Sequence, residues 1–284
     1  MKKVVLGLFI LIIVWIAASF TRGMFTNKTA PTKQLIITGH RGGAALGEEN
    51  TIECIKHGIA TGVTSIEIDV HITADKHIVV CHDATVDRTT NGHGAINDMT
   101  LEQIKALRIT NAKGELTELQ IPTLEEVLET INGEVELLLE IKRKNDDNPG
   151  IEAVVLDIIK QYDALSYTTF QSFNDSVLEE LHLLDSSVKL EKLLVAKLIG
   201  LPIIIDGSVT YFSTEKYSYI RSFNFFYGAL SAPLSKYLHE HGYHTRIWTL
   251  NDPKSIPDIE LDGIITDQPD LFYTPKKGLK GPLK

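Results

Sequence analysis

Cysteine is scarce: the 284 residues contain only Cys54 and Cys81, with no CxxC spacing, so a zinc knuckle is excluded. Cys54 falls in a helical pattern and Cys81 in a strand, so both are expected as buried free thiols, although a disulfide between them is open. Excess positive charge is missing as well. Lys and Arg number 28 against 37 Asp and Glu, a net charge of −9, which argues against general nucleic-acid binding. The same balance would not steer an anion, so a phosphoryl substrate would need local help from a metal, Arg or Lys. Large-scale disorder finds no support in a chain that is 43% apolar and 23% charged.

Against this ordinary composition, one stretch stands apart. Met1-Lys2-Lys3 precedes an uncharged run from Val4 to Phe20, 17 residues long. It lies at the lower edge of what spans a bilayer, exceeds most signal-peptide cores, and has no polar face to present as a surface helix. Residues 1–22 therefore read as an N-terminal transmembrane helix acting as a membrane anchor, the alternative being a signal peptide cut near Ala17-Ala18-Ser19. Lys2 and Lys3 would keep the N-terminus inside, leaving the remainder outside the cytoplasm, or secreted if the segment is cleaved. Residues 23–33 read as a polar linker, 34–274 as one folded domain, and 275–284 as a basic tail.

Within that domain strands alternate with helices. Apolar runs predict eight strands, at 34–38, 65–70, 136–141, 167–171, 188–194, 220–227, 244–250 and 262–266. Ile78–Cys81 forms a hairpin arm to the second. Helical spacing follows Asn50, taken as an N-cap, with Ile52, Ile55 and Ile59 inward. Capping boxes open helices at Thr100 and Thr123. Asn148-Pro149 starts another. Residues 83–120 break the rhythm and read as a small insertion; within it Asp87-Arg88-Thr89-Thr90-Asn91-Gly92 is turn chemistry. Residues 196–220 give no clear pattern. The alternation, and a domain of ~240–255 residues, predict an α/β fold, the (β/α)8 or TIM barrel.

In such a barrel the chemistry collects at the C-terminal strand ends. Alternation in Ser65–Val70 places Glu67 and Asp69 on one side and Ile66, Ile68 and Val70 on the other. Two buried acids need a cation or hydrogen bonds. Glu140 and Lys142 end the third strand, and His40 and His82 follow other strand ends. Three carboxylates without a cysteine ligand favour one hard divalent cation, Mg2+ or Ca2+. Two histidines beside it fit a general acid and base, and Arg41 and Lys142 fit an anion clamp. Glu49 is a possible further site residue. Phe173 and Trp248 are candidate substrate contacts, and the glycines after His40 would let backbone amides approach a ligand.

These residues also fall into a motif series. His40-Arg41-Gly42 with Glu49-Asn50-Thr51, then Glu67-Ile68-Asp69-Val70, His82-Asp83 and Glu140-Ile141-Lys142 resemble the glycerophosphodiester phosphodiesterase family. Trp248-Thr249-Leu250-Asn251 and Asp262 through Pro269 resemble its closing motifs. The resemblance spans roughly residues 35–272. It implies a TIM barrel with a small insertion after the His82 motif, and a metal held by Glu67, Asp69 and Glu140. It further implies His40 and His82 as the acid–base pair, with glycerophosphodiesters cleaved to glycerol 3-phosphate and an alcohol. In the family the glycerol hydroxyl attacks first and water then opens a cyclic phosphate. Gly47-Glu48 replaces the usual proline before Glu49, and 185–230 match poorly, which leaves the alcohol preference open. Two rivals stand beside this reading. One is a lysophospholipase D-like enzyme with Tyr219, Phe223, Phe225, Phe226 and Tyr227 as an apolar lip; a buried strand is the expected role of those residues. The other is a non-catalytic ligand-binding barrel.

Overall fold

The structure, a computed structural model, describes residues 35–143, 150–198, 203–206 and 209–272. The expected N-terminal anchor and linker, the basic tail and the helix start at Asn148-Pro149 lie outside these. Among the described residues no helix is long and apolar enough to cross a membrane.

Eight parallel strands close on themselves. They are β1 (Ile36–Gly39), β2 (Ser65–Ile72), β4 (Glu136–Ile141), β5 (Thr168–Ser172), β6 (Lys189–Leu194), β10 (Ser222–Phe226), β11 (His244–Trp248) and β12 (Gly263–Thr266). Each pairs with its neighbour, and β1 pairs with both β12 and β2, which shuts the barrel. The hairpin arm β3 (Ile78–Val80) runs antiparallel to β2, as expected of a hairpin.

Helices α1 (Ile52–Ala60), α3 (Leu124–Ile131), α4 (Ile151–Gln161), α5 (Asp175–Leu184) and α6 (Ala232–Glu240) cover the outside. Ile66, Ile68, Val70, Leu137 and Leu139 face them and are buried to within 1%. Both capping boxes form, Thr100 with Gln103 at the start of α2 (Leu101–Lys105) and Thr123 with Glu126 at α3. The N-cap of α1, however, is Thr51, whose hydroxyl accepts from the Cys54 amide. Asn50 sits one residue earlier at φ +57° and is put to other use.

The two glycines that matter most serve packing rather than a ligand. Arg41 (φ +52°), Gly42 and Gly43 curl the chain after β1, and α1 lies directly on that curl. A Cβ on Gly58 would fall 2.1 Å from the Gly42 carbonyl oxygen, so only glycine allows this contact. The Gly43 and Ala44 amides donate back to the His40 carbonyl, so they do not point at a substrate.

The insertion between β3 and α3 packs Cys81, Val86, Ile96, Ile104, Ile109 and Ile121 into a small core of its own, seated on Val79 of β3. Both cysteines are buried free thiols. The stretch without a readable pattern forms a separate three-stranded antiparallel sheet, β7 (Ala196–Leu198), β8 (Ile203–Ile205) and β9 (Val209–Tyr211). Phe223 and Phe225 are buried beneath the helices, as expected of a strand, while Phe226 is half-exposed at the barrel mouth.

Candidate active site

Barrel geometry brings the predicted residues together at the C-terminal strand ends. Parallel register sets Asp69 of β2 beside Glu140 of β4, with Glu67 one inward position earlier. Carboxylate oxygens of Glu67, Asp69 and Glu140 lie within 4.8 Å of one another, and all three residues are buried.

Each acid is held by a named neighbour. Glu67 accepts from the Arg41 amide at 2.8 Å and from the Gln171 side chain at 3.4 Å. Asp69 accepts from the Asn50 side chain at 2.9 Å, while its own amide donates to the Asn50 oxygen. Lys142 Nζ lies 3.0 Å from Asp69 Oδ1 and 2.7 Å from Glu140 Oε1, so it pairs with both acids rather than with Glu140 alone. The Arg41 side chain does not neutralise Glu67; its Nη1 donates to Glu49 at 2.9 Å and its Nε lies 3.6 Å from Asp69.

Electrostatics separate the three acids. Burial, then the charge of Asp69, pushes Glu67 well above the usual carboxylate range. Burial likewise raises Glu140, against the pull of Lys142. Burial opposes ionisation of Asp69 too, but Lys142, His82 and Arg41 hold it far below that range. Asp69 Oδ1 is buried without a hydrogen bond of its own beyond the Lys142 ion pair. Three crowded oxygens, two of them reluctant to ionise, are the donor set a hard divalent cation fits.

The histidines flank this cluster. His40 Nδ1 bonds Asp267 Oδ1 at 2.6 Å, and Asp267 is held in turn by the Asn251 side chain at 2.8 Å. His82 Nδ1 bonds Asp83 Oδ1 at 2.7 Å. In each case the carboxylate fixes the ring and leaves Nε2 for other work. Their environments differ. Burial opposes the charge on His40, but Asp267 and Glu67 outweigh it and raise its pKa above the ordinary value. Burial and then Lys142 lower that of His82, against the pull of Asp69 and Asp83.

A pocket of about 100 Å3 collects His40, Arg41, Glu67, His82, Glu140 and Lys142, closed on one side by Phe173 and Trp248. These two rings meet edge to face at 5.6 Å, and Phe226 also packs edge to face on Trp248 at 5.4 Å. A second cavity of about 310 Å3 runs from His82 and Lys142 outward between the insertion (Ala84, Ala95, Asn97) and the barrel (Ser172, Phe173).

A family model for the glycerophosphoryl diester phosphodiesterases matches residues 40–271. The chain belongs to that family. A glycerophosphodiester phosphodiesterase of Caldanaerobacter subterraneus subsp. tengcongensis is 34% identical over 250 residues, 86% of this chain and 98% of that one. The crystal structure of a Thermotoga maritima glycerophosphodiester phosphodiesterase is 26% identical with a TM-score of 0.65, covering 84% of this chain and 97% of that chain. An Oleispira antarctica phosphodiesterase, solved with sn-glycerol-3-phosphate, shares the fold with a TM-score of 0.73 at 24% identity over 82% of this chain and 93% of that one. This chain is accordingly a phosphodiesterase that hydrolyses glycerophosphodiesters to glycerol 3-phosphate and an alcohol.

Every candidate named from sequence lies in or beside this one cluster. Glu49 does so indirectly, held between Arg41 and the insertion. Sequence reasoning missed Asn50, read as a cap; Gln171, read as strand; and Arg88, read as turn. The signal for Gln171 was its parity: it falls on the same inward face of the barrel as Glu140, with which it pairs in register.

Proposed function

We propose that His82 and His40 divide the proton work of this reaction. His82, favoured neutral, takes the proton of the glycerol hydroxyl as that oxygen attacks phosphorus. His40, favoured protonated, gives its proton to the departing alcohol oxygen. A cyclic phosphate results. In the second half His40 takes a proton from water, and His82 returns its proton to the glycerol oxygen. Groups whose environments drive their pKa values apart suit opposite roles. The observation that carries this reading is the convergence of both carboxylate-backed histidines on one pocket containing Glu67 and Glu140.

Arg41 and Lys142 supply positive charge for the phosphate, and Phe173 and Trp248 give an apolar wall for substrate carbons. A divalent cation, Mg2+ or Ca2+, on Glu67, Asp69 and Glu140 would add charge stabilisation at the phosphoryl oxygens. The uncharged run Val4–Phe20 behind Lys2 and Lys3 supports a tether that keeps the domain at a membrane, outside the cytoplasm. Release into the soluble fraction on alkaline carbonate washing of cell membranes would count against that tether.

The test of the site is release of glycerol 3-phosphate from glycerophosphocholine, with EDTA and then with Mg2+ or Ca2+ restored. Activity is expected to vanish with chelation and return with metal. His82→Ala should cost about 10²–10⁴-fold in kcat, the usual share of a general acid or base. A His82→Ala protein of full activity would remove the assignment. Lysophosphatidylcholine run in parallel separates the lysophospholipase D-like reading.

A further inference from the structure

The turn Asp87–Gly92 has no place in the reaction as described, yet one of its side chains reaches into the site. Arg88 Nε donates to Asp83 Oδ2 at 2.6 Å. Its two terminal nitrogens donate to Glu49, Nη1 to Oε2 at 3.0 Å and Nη2 to Oε1 at 2.7 Å. Each of those carboxylates has a second client. Asp83 Oδ1 holds His82 Nδ1, and Glu49 Oε1 holds Arg41 Nη1. A single guanidinium thus completes a chain from His82 through Asp83, Arg88 and Glu49 to Arg41, joining the insertion to the loop after β1.

We propose that Arg88 is a positioning residue that sets the proton-transfer histidine and the phosphate-binding arginine at a fixed separation. This rests on the roles given above to His82 and Arg41. Three features support it. The planar fork of Arg matches a carboxylate with two bonds while its Nε serves another, which no Lys can do. Arg88 is 48% exposed, so the bonds are not forced by burial. The insertion has an apolar cluster of its own to fold around, independent of the polar bonds that Arg88 makes.

The two ends of the chain give separable readouts. Loosening Asp83 should act on proton transfer and so on kcat; loosening Glu49 should act on phosphate binding and so on KM. Asp83→Asn is expected to lower kcat with little change in KM, and Glu49→Gln to raise KM with little change in kcat. Arg88→Ala should do both, about tenfold each, the low end for losing charge-assisted hydrogen bonds. Its thermal midpoint should stay within about 2 °C of the parent, as for an exposed substitution. Arg88→Lys should recover at most one of the two parameters. Adding Arg88→Ala to Asp83→Asn should cost no further kcat, and adding it to Glu49→Gln no further KM. Low concentrations of guanidinium should partly restore Arg88→Ala but not His82→Ala.

The proposal is overturned if Arg88→Ala keeps kcat and KM within twofold, or if its effects multiply fully with those of both partner variants. It is also overturned if the variant loses only its thermal midpoint. His82→Ala and Arg41→Ala are measured alongside. Wild-type behaviour in those two removes the roles of His82 and Arg41, and the proposal with them. Their inactivity beside a normal Arg88→Ala removes the positioning role alone.

Discussion

The two sides of this barrel bury charge in different ways. On the β1–β2–β4 side, Glu67, Asp69 and Glu140 crowd within 4.8 Å. Lys142 and Arg41 are their close cations, and two of the three acids resist ionisation. On the β6–β10–β11 side, Glu191 receives Arg246 at 3.0 Å and Asn224 at 2.8 Å, and Arg246 continues to Thr38. Just outside that wall Lys192, fully buried, lies 2.8 Å from Asp175 and 2.9 Å from Asp206. The residue types are the same, but in the more nearly saturated set each charge meets opposite partners and fixes geometry. The undersaturated set stores unfavourable free energy that a cation and a phosphate can relieve.

The strongest way to break this contrast is Glu67→Gln. Activity should fall by about 10³-fold, of the order seen when a group acting on the transition state is removed. Stability of the metal-free protein should rise, because a repelled carboxylate is gone while an oxygen to accept from the Arg41 amide remains. The sign follows from linkage. Glu67 has its folded-state pKa above the ordinary 4.5, so its contribution is fully present below that value and is lost as pH climbs towards the raised pKa. Denaturation of the chelated parent should show that loss, and Glu67→Gln should flatten it. A steeper slope in the variant would contradict the comparison.

On the saturated side the expectation reverses. Lys192→Ala leaves two carboxylates short of a partner and should cost ~3 kcal/mol of stability, or roughly 6–12 °C in thermal midpoint. The kcat of the protein that remains folded should fall far less than in Glu67→Gln, since Lys192 reaches the site only by donating to the Phe173 carbonyl behind the pocket wall. Lys216 and the Tyr217 hydroxyl, which also bond Asp175, keep the cost from being larger.

The smallest effect sharpens the difference between the histidines. Activity should need His82 neutral and His40 protonated, giving a bell whose acid limb lies below about 6.5 and whose alkaline limb lies above it. Asp267→Asn removes the bonded carboxylate that raises His40. The alkaline limb should move to lower pH while the acid limb stays in place, as a kcat/KM profile would report. Equal movement of both limbs would show that the two rings do not titrate in separate roles.

Much of this was legible beforehand because period and parity are local. Alternation in Ile66–Val70 put two acids on one face, and the closed barrel turned that face inward to meet Glu140. Capping boxes at Thr100 and Thr123 needed only four residues each. What escaped depends on distant partners or on short elements. Arg88 finds Glu49 across 39 positions of sequence, which no window reveals. Asn50 has the chemistry of a cap, and tertiary contact with Asp69 claimed it while Thr51 did the capping. The strands β7, β8 and β9 are three residues each, too short for an alternation to register. The glycines after His40 were assigned to a ligand, whereas Gly42 packs against α1 and Gly43 against Pro269 and Leu46.

The separate core of the insertion has a consequence for how such an enzyme can change. Its apolar residues pack mainly on each other, so sequence and length between β3 and α3 can drift without disturbing the layer beneath the barrel helices. That same segment forms one wall of the 310 Å3 cavity leading away from His82 and Lys142, the other wall being barrel. Selection therefore has a piece it can rework to reshape the space beside His82 while the proton-handling groups stay where they are, tied across by a single arginine.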